Sequence, residues 1–500
     1  MGSNWEEHYL SEIIELVIDN RGRNPSSYSA SGIPVIDNYL ITSEGEPELS
    51  EVKRYISKNI YDSFIRKYNQ AGDVLLTLVG NGYGKVAISP KEKCIIIQNT
   101  MGLRTKDGFD NNFLYYLLKG NRVSLTNLNR GAAQPSIKVG DVLNLCFSFP
   151  NHNQQKSIGN ILNQLDKKIQ LNRQTNQTLE RMAQILFKSW FVDFDPVFDN
   201  ALLKAGIATQ SQGNEEQAPH SNKNEGNLLA GFPEALRPKA KQRLNALRSC
   251  ITTQERGNEG QAQGISTQKL GNEAFPSEFE FNEQLGWIPK GWEVEAVSKA
   301  IQVNPRTTLS KGSVAKFADM KSIPTSGYMV DEVIEKAFSG GAKFKQNDIL
   351  LARITPCLQN GKTALVDFLT DDEVGFGSTE FIVLRECKKT NYPFIACLAR
   401  DEIFRAHCMQ SMVGSSGRQR VQNACFKDYY LALPKKSNVL DKFAELTSAN
   451  FTKMTNNKLE SQSLTKLRDT LLPKLISGEL QLPDLEQSPR SHAPRGNADG

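Results

Sequence analysis

The sequence predicts an α+β fold: two similar α/β domains separated by two long helices that pair as an antiparallel coiled coil, with a pseudo-twofold internal duplication. Three observations carry this prediction. An apolar seam at alternating steps of four and three runs through 154–194, and a weaker one runs through 439–478. The segments that precede the two seams repeat each other in order, at a spacing of about 280 residues.

Composition sets the outer bounds. Five hundred residues suffice for two to four domains, and 39% hydrophobic with 23% charged residues is ordinary for a soluble globular chain. A net charge of +5 is too small for a nonspecific nucleic-acid coat, so any such contact must come from local clusters. The eight cysteines contain no CxxC pair and the five histidines no paired ligand spacing, which points to reduced thiols and no metal site. Neither a leader-like start nor a run long enough to span a bilayer is present, so the expected location is the cytoplasm, with no membrane partner.

The first domain is read at 1–150 and the second at 284–435. Asn4-Trp5-Glu6 and Gly291-Trp292-Glu293 open them, with Ser11 and Ser298 at equal distances beyond. Gly72-Asp73-Val74-Leu75-Leu76 answers Asn347-Asp348-Ile349-Leu350-Leu351; each is followed by a Gly-containing turn, a Lys and a second apolar run, the pattern of strand, loop, strand. Gly131–Ile137 stands opposite Ser415–Val421, and both lead to an apolar strand ending at Pro150 and Pro434.

The central helix is placed at 151–198. Its seam is Ile158, Leu162, Leu165, Ile169, Asn172, Asn176, Leu179, Ala183, Leu186 and Trp190. At ~1.5 Å per residue the helix would be roughly 55 Å long, a strut with a globular domain at each end. Its last turns are apolar nearly all round, so more than one surface must cover them. Phe187, Trp190, Phe191 and Phe194 are therefore the expected docking site for another subunit, the alternative being burial within the same chain. A low-complexity stretch follows at 199–283, rich in Gln, Asn, Gly, Glu and Ser, with GNE recurring at Gly213, Gly257 and Gly271. It reads as a flexible linker with one helical patch near 234–248, interrupted by Pro238. The C-terminal helix, 436–482, sets Leu464, Leu471 and Leu475 opposite Leu179, Leu186 and Trp190 of the first. Its seam is poorer, with Thr447, Asn450, Ser461 and Arg468 at matching places, and Asn457 repeats the polar step of Asn172. Pro473 lies near enough to the end to kink rather than break it. Residues 483–500 read as a disordered tail.

Catalytic signatures are missing. Gly361-Lys362-Thr363 ends like a phosphate loop, but Pro356 stands where the first glycine is needed. Gly80–Lys85 is glycine-rich and lacks the following Ser or Thr. The acidic sets Asp37/Glu51/Lys53 and Asp372/Glu386/Lys388 fall at unlike places in the two repeats, unlike a duplicated metal site. Asn304-Pro305 has neither the second proline nor the aromatic that hold an adenine for methylation. No catalytic and no metal-binding residue is nominated. The chain is expected to recognise rather than react, with a non-catalytic coiled-coil protein scaffold as one alternative.

FKSWFVDFDPVF (Phe187–Phe198), QLGWIPKGWE (Gln284–Glu293), DILLARITPCLQNGKTAL (Asp348–Leu365) and GSTEFIVLR (Gly377–Arg385) resemble segments of type I restriction-modification specificity subunits. The resemblance spans nearly all of the chain outside the linker and tail; the GNE-rich linker and the weak second seam depart from it. It implies two target-recognition domains, each reading half of a split, asymmetric DNA sequence. It also implies partners: double-stranded DNA, two modification subunits that methylate adenine with S-adenosylmethionine, and restriction subunits that use ATP and Mg2+. The chain itself would bind no cofactor. Base reading needs polar side chains on loops able to reach groove edges. The matching loops offer Asn81, Tyr83 and Lys85 with Arg130, Gln134 and Ser136 in the first half, and Arg353, Gln359 and Lys362 with Arg418, Gln419 and Arg420 in the second.

Overall fold

The computed structural model describes residues 5–25, 27–80, 82–129, 135–205, 225–255, 272–415 and 417–482. They form two compact units: the described parts of Met1–Asn172 with Leu459–Gly500, and Arg173–Lys458. The sequence reading set the helices apart from the domains. Each of the two compact units holds a part of both.

In the first unit a four-stranded antiparallel sheet runs in the order Ile14–Asp19, Thr100–Thr105, Val74–Thr77, Val86–Ile88. A second sheet holds Tyr55–Ile56, Ile33–Ile36 and Ile95–Ile96, the last two parallel. The apolar run Val74-Leu75-Leu76 follows from covering both faces: Val74 and Leu76 enter the core formed with helix Asn111–Gly120, while Leu75 enters a separate core with Ile36 and Ile96.

The second unit repeats this plan. Gln302–Val303, Phe381–Arg385, Ile349–Ala352 and Thr363–Leu365 form the antiparallel sheet. Ile334–Ala337, Val314–Ala318, Gly375–Gly377 and Ala342–Phe344 form the other, again with one parallel pair. Ile349 and Leu351 face one core and Leu350 another. Ribbons Glu6–Tyr9 with Cys146–Phe149, and Trp292–Ala296 with Tyr430–Pro434, occupy equivalent places.

The duplication reaches single atoms. Asp73 and Asp348, each 1% exposed, accept a backbone N–H three residues back, from Gln70 and Lys345, both at 2.7 Å. Each also receives a two-pronged arginine. Arg104 Nε and Nη2 donate to Asp73 at 2.9 and 2.8 Å, and the same atoms of Arg385 donate to Asp348 at 2.7 Å each. The residue before each aspartate, Gly72 or Asn347, has positive φ.

The first long helix is continuous over His152–Phe187 and the second over Asn438–Ile476. In the first unit Ile158, Leu162 and Ile169 are buried, with Leu165 half-buried, and Leu472, Leu475 and Ile476 join the same core as Ile158 and Leu162, beside the half-buried Leu471. Pairing is antiparallel: Asp166 meets Arg468 at 2.6 Å and Asn172 donates to Glu460 at 2.9 Å. In the second unit Asn457 donates to Asn176 at 2.8 Å, and the core of Ala183, Leu179 and Leu186 includes Phe443, Phe451 and Met454. The second seam is thus richer than expected. Phe451, not its neighbour Asn450, is the buried residue, and the polar Thr447 and Arg468 are satisfied by the Phe443 carbonyl and by Asp166. Leu464 is half-buried.

The segment 199–283 contains more order than the linker reading allowed. Helices Asp195–Lys204 and Arg237–Glu255 pack Phe198 and Leu202 against Ala240, Leu244 and Leu247, with Arg243 forked onto the buried Asp199 at 2.9 and 2.6 Å. Pro238 sits in the first turn of its helix, where no intrahelical donor is lost, and so interrupts nothing. The GNE repeats at Gly213 and Gly257 and the tail 483–500 lie outside the described residues, as does Gly271.

Candidate nucleic-acid interface

The nominated loops come together in each unit. In the first, the chain leaves strand Val74–Thr77 into a turn that closes when Thr77 N–H donates to the Lys85 carbonyl at 2.9 Å. Val79 then bridges Ser136, Ile137 N–H donates to Leu78 at 2.8 Å, and Gly80 N–H to Pro135 at 3.1 Å. In the second unit Ala352 N–H donates to Lys362, Ile354 bridges Arg420, Val421 N–H donates to Arg353 at 2.9 Å and Thr355 N–H to Gln419 at 3.0 Å. These bonds make Leu78 equivalent to Arg353 and Ser136 to Arg420. One further bond extends the match: Leu78 N–H donates to the Asn99 carbonyl at 2.7 Å and Arg353 N–H to the Glu380 carbonyl at 3.0 Å.

The nominated side chains divide by what they touch. Arg353 Nη2 donates to the Val421 carbonyl at 2.9 Å and Lys362 Nζ to the Met320 carbonyl at 2.7 Å. Both are half-buried and tie the loops to the scaffold. Tyr83 likewise packs on the first unit's core, and Lys85 is half-buried beside Gly82. Gln359, Arg418 and Arg420 are exposed, and Gln419 and Ser136 half-exposed. Asn81, Arg130 and Gln134 lie outside the described residues. Glu380, which the sequence reading missed, grips Arg420 through Nε at 3.0 and 2.9 Å and Nη2 at 2.7 Å, and its charge raises the arginine's pKa. It lies inside the quoted segment Gly377–Arg385, but its partner 40 residues away gave no local signal.

Two features hold the second unit's loops. Gly414 has φ +138°, and a Cβ there would meet the Arg418 carbonyl at 2.9 Å, so the bend requires glycine. Arg400 donates to the carbonyls of Thr325, Gly327, Gly361 and Thr363, and stands 3.6 Å from Glu180 on the first long helix. Burial pushes the Arg400 pKa down and the Glu180 pKa up, each opposed by the other's charge.

The aromatics expected to dock another subunit pack largely within their own unit. Phe187, Trp190 and Phe191 are 2%, 6% and 7% exposed, covered by Phe275, Trp292, Phe394 and Phe443 of the same unit. One π turn, Lys188–Val192, and a left-handed Phe194 end the helix there and turn these rings inward from more than one face. Own-chain burial therefore accounts for these three aromatics. Phe194 is half-buried and lines a cavity of ≈ 180 Å³ with Leu285 and Tyr430.

Among the described residues no cluster of His, Cys, Asp or Glu could hold a metal ion, and no helix is long and apolar enough to cross a membrane.

Comparison with known proteins adds to this geometry. Residues 2–181 match the family model of the type I restriction modification DNA specificity domain. The chain is 26% identical to the HindI specificity subunit of Haemophilus influenzae, covering 96% of this chain and 100% of that one. It is 22% identical to the MjaIX specificity subunit of Methanocaldococcus jannaschii, covering 96% and 95%. In fold it is similar to the crystal structure of the S subunit of a type I restriction-modification system from M. genitalium, with a TM-score of 0.50, 14% identity, and coverage of 95% and 96%.

Proposed function

The chain belongs to the family of type I restriction-modification specificity subunits, and we propose that it reads a two-part, asymmetric DNA target, one half with the loops of each unit. The carrying observation is the equivalent pair of loops, fixed by the same main-chain bonds and carrying different side chains at the same places. A common frame with unlike readers suits two unlike half-sites, because phosphate contacts position a protein while base-edge contacts specify sequence. Exposed Arg418, Arg420 and Gln359 supply donors of the type that such reading needs.

In this reading the chain is a non-catalytic subunit that binds no cofactor. Two modification subunits methylate adenine with S-adenosylmethionine, and restriction subunits spend ATP with Mg2+ on translocation and cleavage; the working place is the cytoplasm. The resemblance of the four quoted segments supports these partners. The assembled complex is tested on a pool of randomised duplexes. Enrichment of one split motif, weakened by salt as counterions are released, is the expected result; a complex that enriches no sequence returns the chain to the scaffold class. Cleavage or methylation by the isolated chain would overturn the non-catalytic assignment.

A further inference from the structure

Arg420 is an exposed cation of the second unit's loops whose backbone and side chain are both held. Its backbone is held on two sides: its N–H donates to Val413 at 3.0 Å, its carbonyl accepts from Val413 at 3.1 Å, and it bridges Ile354. Glu380 is held by the same scaffold, its carbonyl accepting from Arg353 and its N–H donating to Ser378 Oγ at 3.1 Å. Two groups on one fixed frame then meet through the side edge of the guanidinium, Nε and Nη2, which the carboxylate occupies. The side chains are 44% and 22% exposed, so the pair stands at the surface rather than in the core.

A guanidinium gripped along its Nε edge still has hydrogens on Nη1 and Nη2 for an end-on contact, since the Arg418 carbonyl, 3.5 Å from Nη1, engages only one of the two Nη1 hydrogens. Their parallel pair fits O6 and N7 of guanine, whereas adenine sets its own N6 donor against them and thymine offers one acceptor and a methyl group. Holding a long side chain in advance lowers the ordering cost of that contact. The carboxylate also repels phosphate, which penalises a nonspecific backbone contact by the same arginine. In the first unit the equivalent positions are Ser136 and Asn99, which cannot form such a pair.

We propose that Glu380 is a specificity-determining residue that orients Arg420 to read a guanine in the half-site of the second unit. The proposal rests on the DNA-reading function above. Among the described residues, the Ser136/Asn99 and Arg420/Glu380 positions are then one place at which the two half-sites are made unlike.

The test uses the complex assembled with its modification subunits and randomised duplexes, comparing the wild type with Arg420→Ala, Arg420→Lys and Glu380→Gln. Arg420→Ala removes the preference for one guanine and leaves every other position unchanged. Arg420→Lys, which keeps the charge and loses the two-donor edge, does the same. Glu380→Gln lowers selectivity at that position by about tenfold or more while binding to unrelated duplexes tightens. The inference is overturned if the Arg420-dependent base is not guanine, if Arg420→Ala alters no position, or if Glu380→Gln tightens all duplexes equally with the base profile intact. Should Glu380→Gln fail to fold, Arg420→Lys decides: retained guanine preference refutes the two-donor geometry. A wild-type complex without sequence preference overturns the DNA-reading function itself, and so separates that failure from this one.

Discussion

Replacing Asp348 with Ala removes the acceptor of three bonds at once, from Arg385 Nε, Arg385 Nη2 and Lys345 N–H, all at 2.7 Å. The aspartate is 1% exposed and the Arg385 side chain 20%. Breaking a buried pair by removing one partner costs ~3–5 kcal/mol, because the charge left behind has no compensation. Removing both charges is different. Burial outweighs the arginine in setting the Asp348 pKa, which stands above its ordinary value, so the pair gains little over an apolar replacement. Asp348→Leu with Arg385→Met should therefore cost less than about 2 kcal/mol, well below the sum of the single losses. Guanidinium unfolding followed by tryptophan fluorescence reads the second unit, since Trp190, Trp287 and Trp292 lie there and Trp5 in the first. Either single variant within 1 kcal/mol of wild type (about one fifth to one third of the expected loss), or a double variant as damaged as the sum, refutes the reasoning. The pH sign is fixed as well. A carboxyl raised on folding contributes stability below its unfolded pKa and loses it as pH rises through the folded value, so wild type should lose ground to Asp348→Asn across that window.

Three further outcomes are expected. Glu278, bonded to Lys290 and Lys204, has its pKa pushed down to about 2; its contribution is present above the usual carboxylate range and lost as pH falls towards that value, and an NMR titration midpoint near 4.5 would contradict it. Trp190→Ala should destabilise the second unit by about 3–5 kcal/mol in the isolated chain; a variant as stable as wild type but unable to bind a modification subunit would restore the docking role. Leu244→Ala should cost about 2–5 kcal/mol and speed amide exchange along Arg237–Glu255, and unchanged exchange would show that helix to be independent of the Phe198–Leu244 core.

Much of the plan was legible because it is written twice. The apolar triplets after Asp73 and Asp348 predicted the paired strands, and the loops beyond them were matched correctly from spacing alone. The arginines that clamp those aspartates were not seen, since each comes from another strand, 31 or 37 residues away. Their signal was present in Leu103-Arg104 and Leu384-Arg385, two equivalent pairs in the repeat. Apolarity at 187–194 showed that several surfaces must cover those turns, but it carries no label of whose surfaces they are. The heptad puts Asn450 on the seam where the structure encloses Phe451, because a 3.6-residue turn drifts against a fixed heptad and only the facing helix decides which side chain is enclosed. Pro238 reads as a breaker within 234–248, whereas the helix starts at Arg237 and the proline falls in its first turn.

The first unit's core also depends on chain made after the whole of the second unit. Leu472, Leu475 and Ile476 belong to it, and Ile476 comes so near Gly120 that a Cβ there would lie 2.3 Å from its Cδ1. On the ribosome these residues emerge about 300 positions after Asn172, a wait on the order of tens of seconds at ~5–20 residues per second. The second unit, being one uninterrupted segment, can close before the first. Translation order and completion order are therefore reversed: the first unit must keep an open apolar face until Leu472 has emerged, and a nascent chain that stops before Leu472 can complete its second core but not its first.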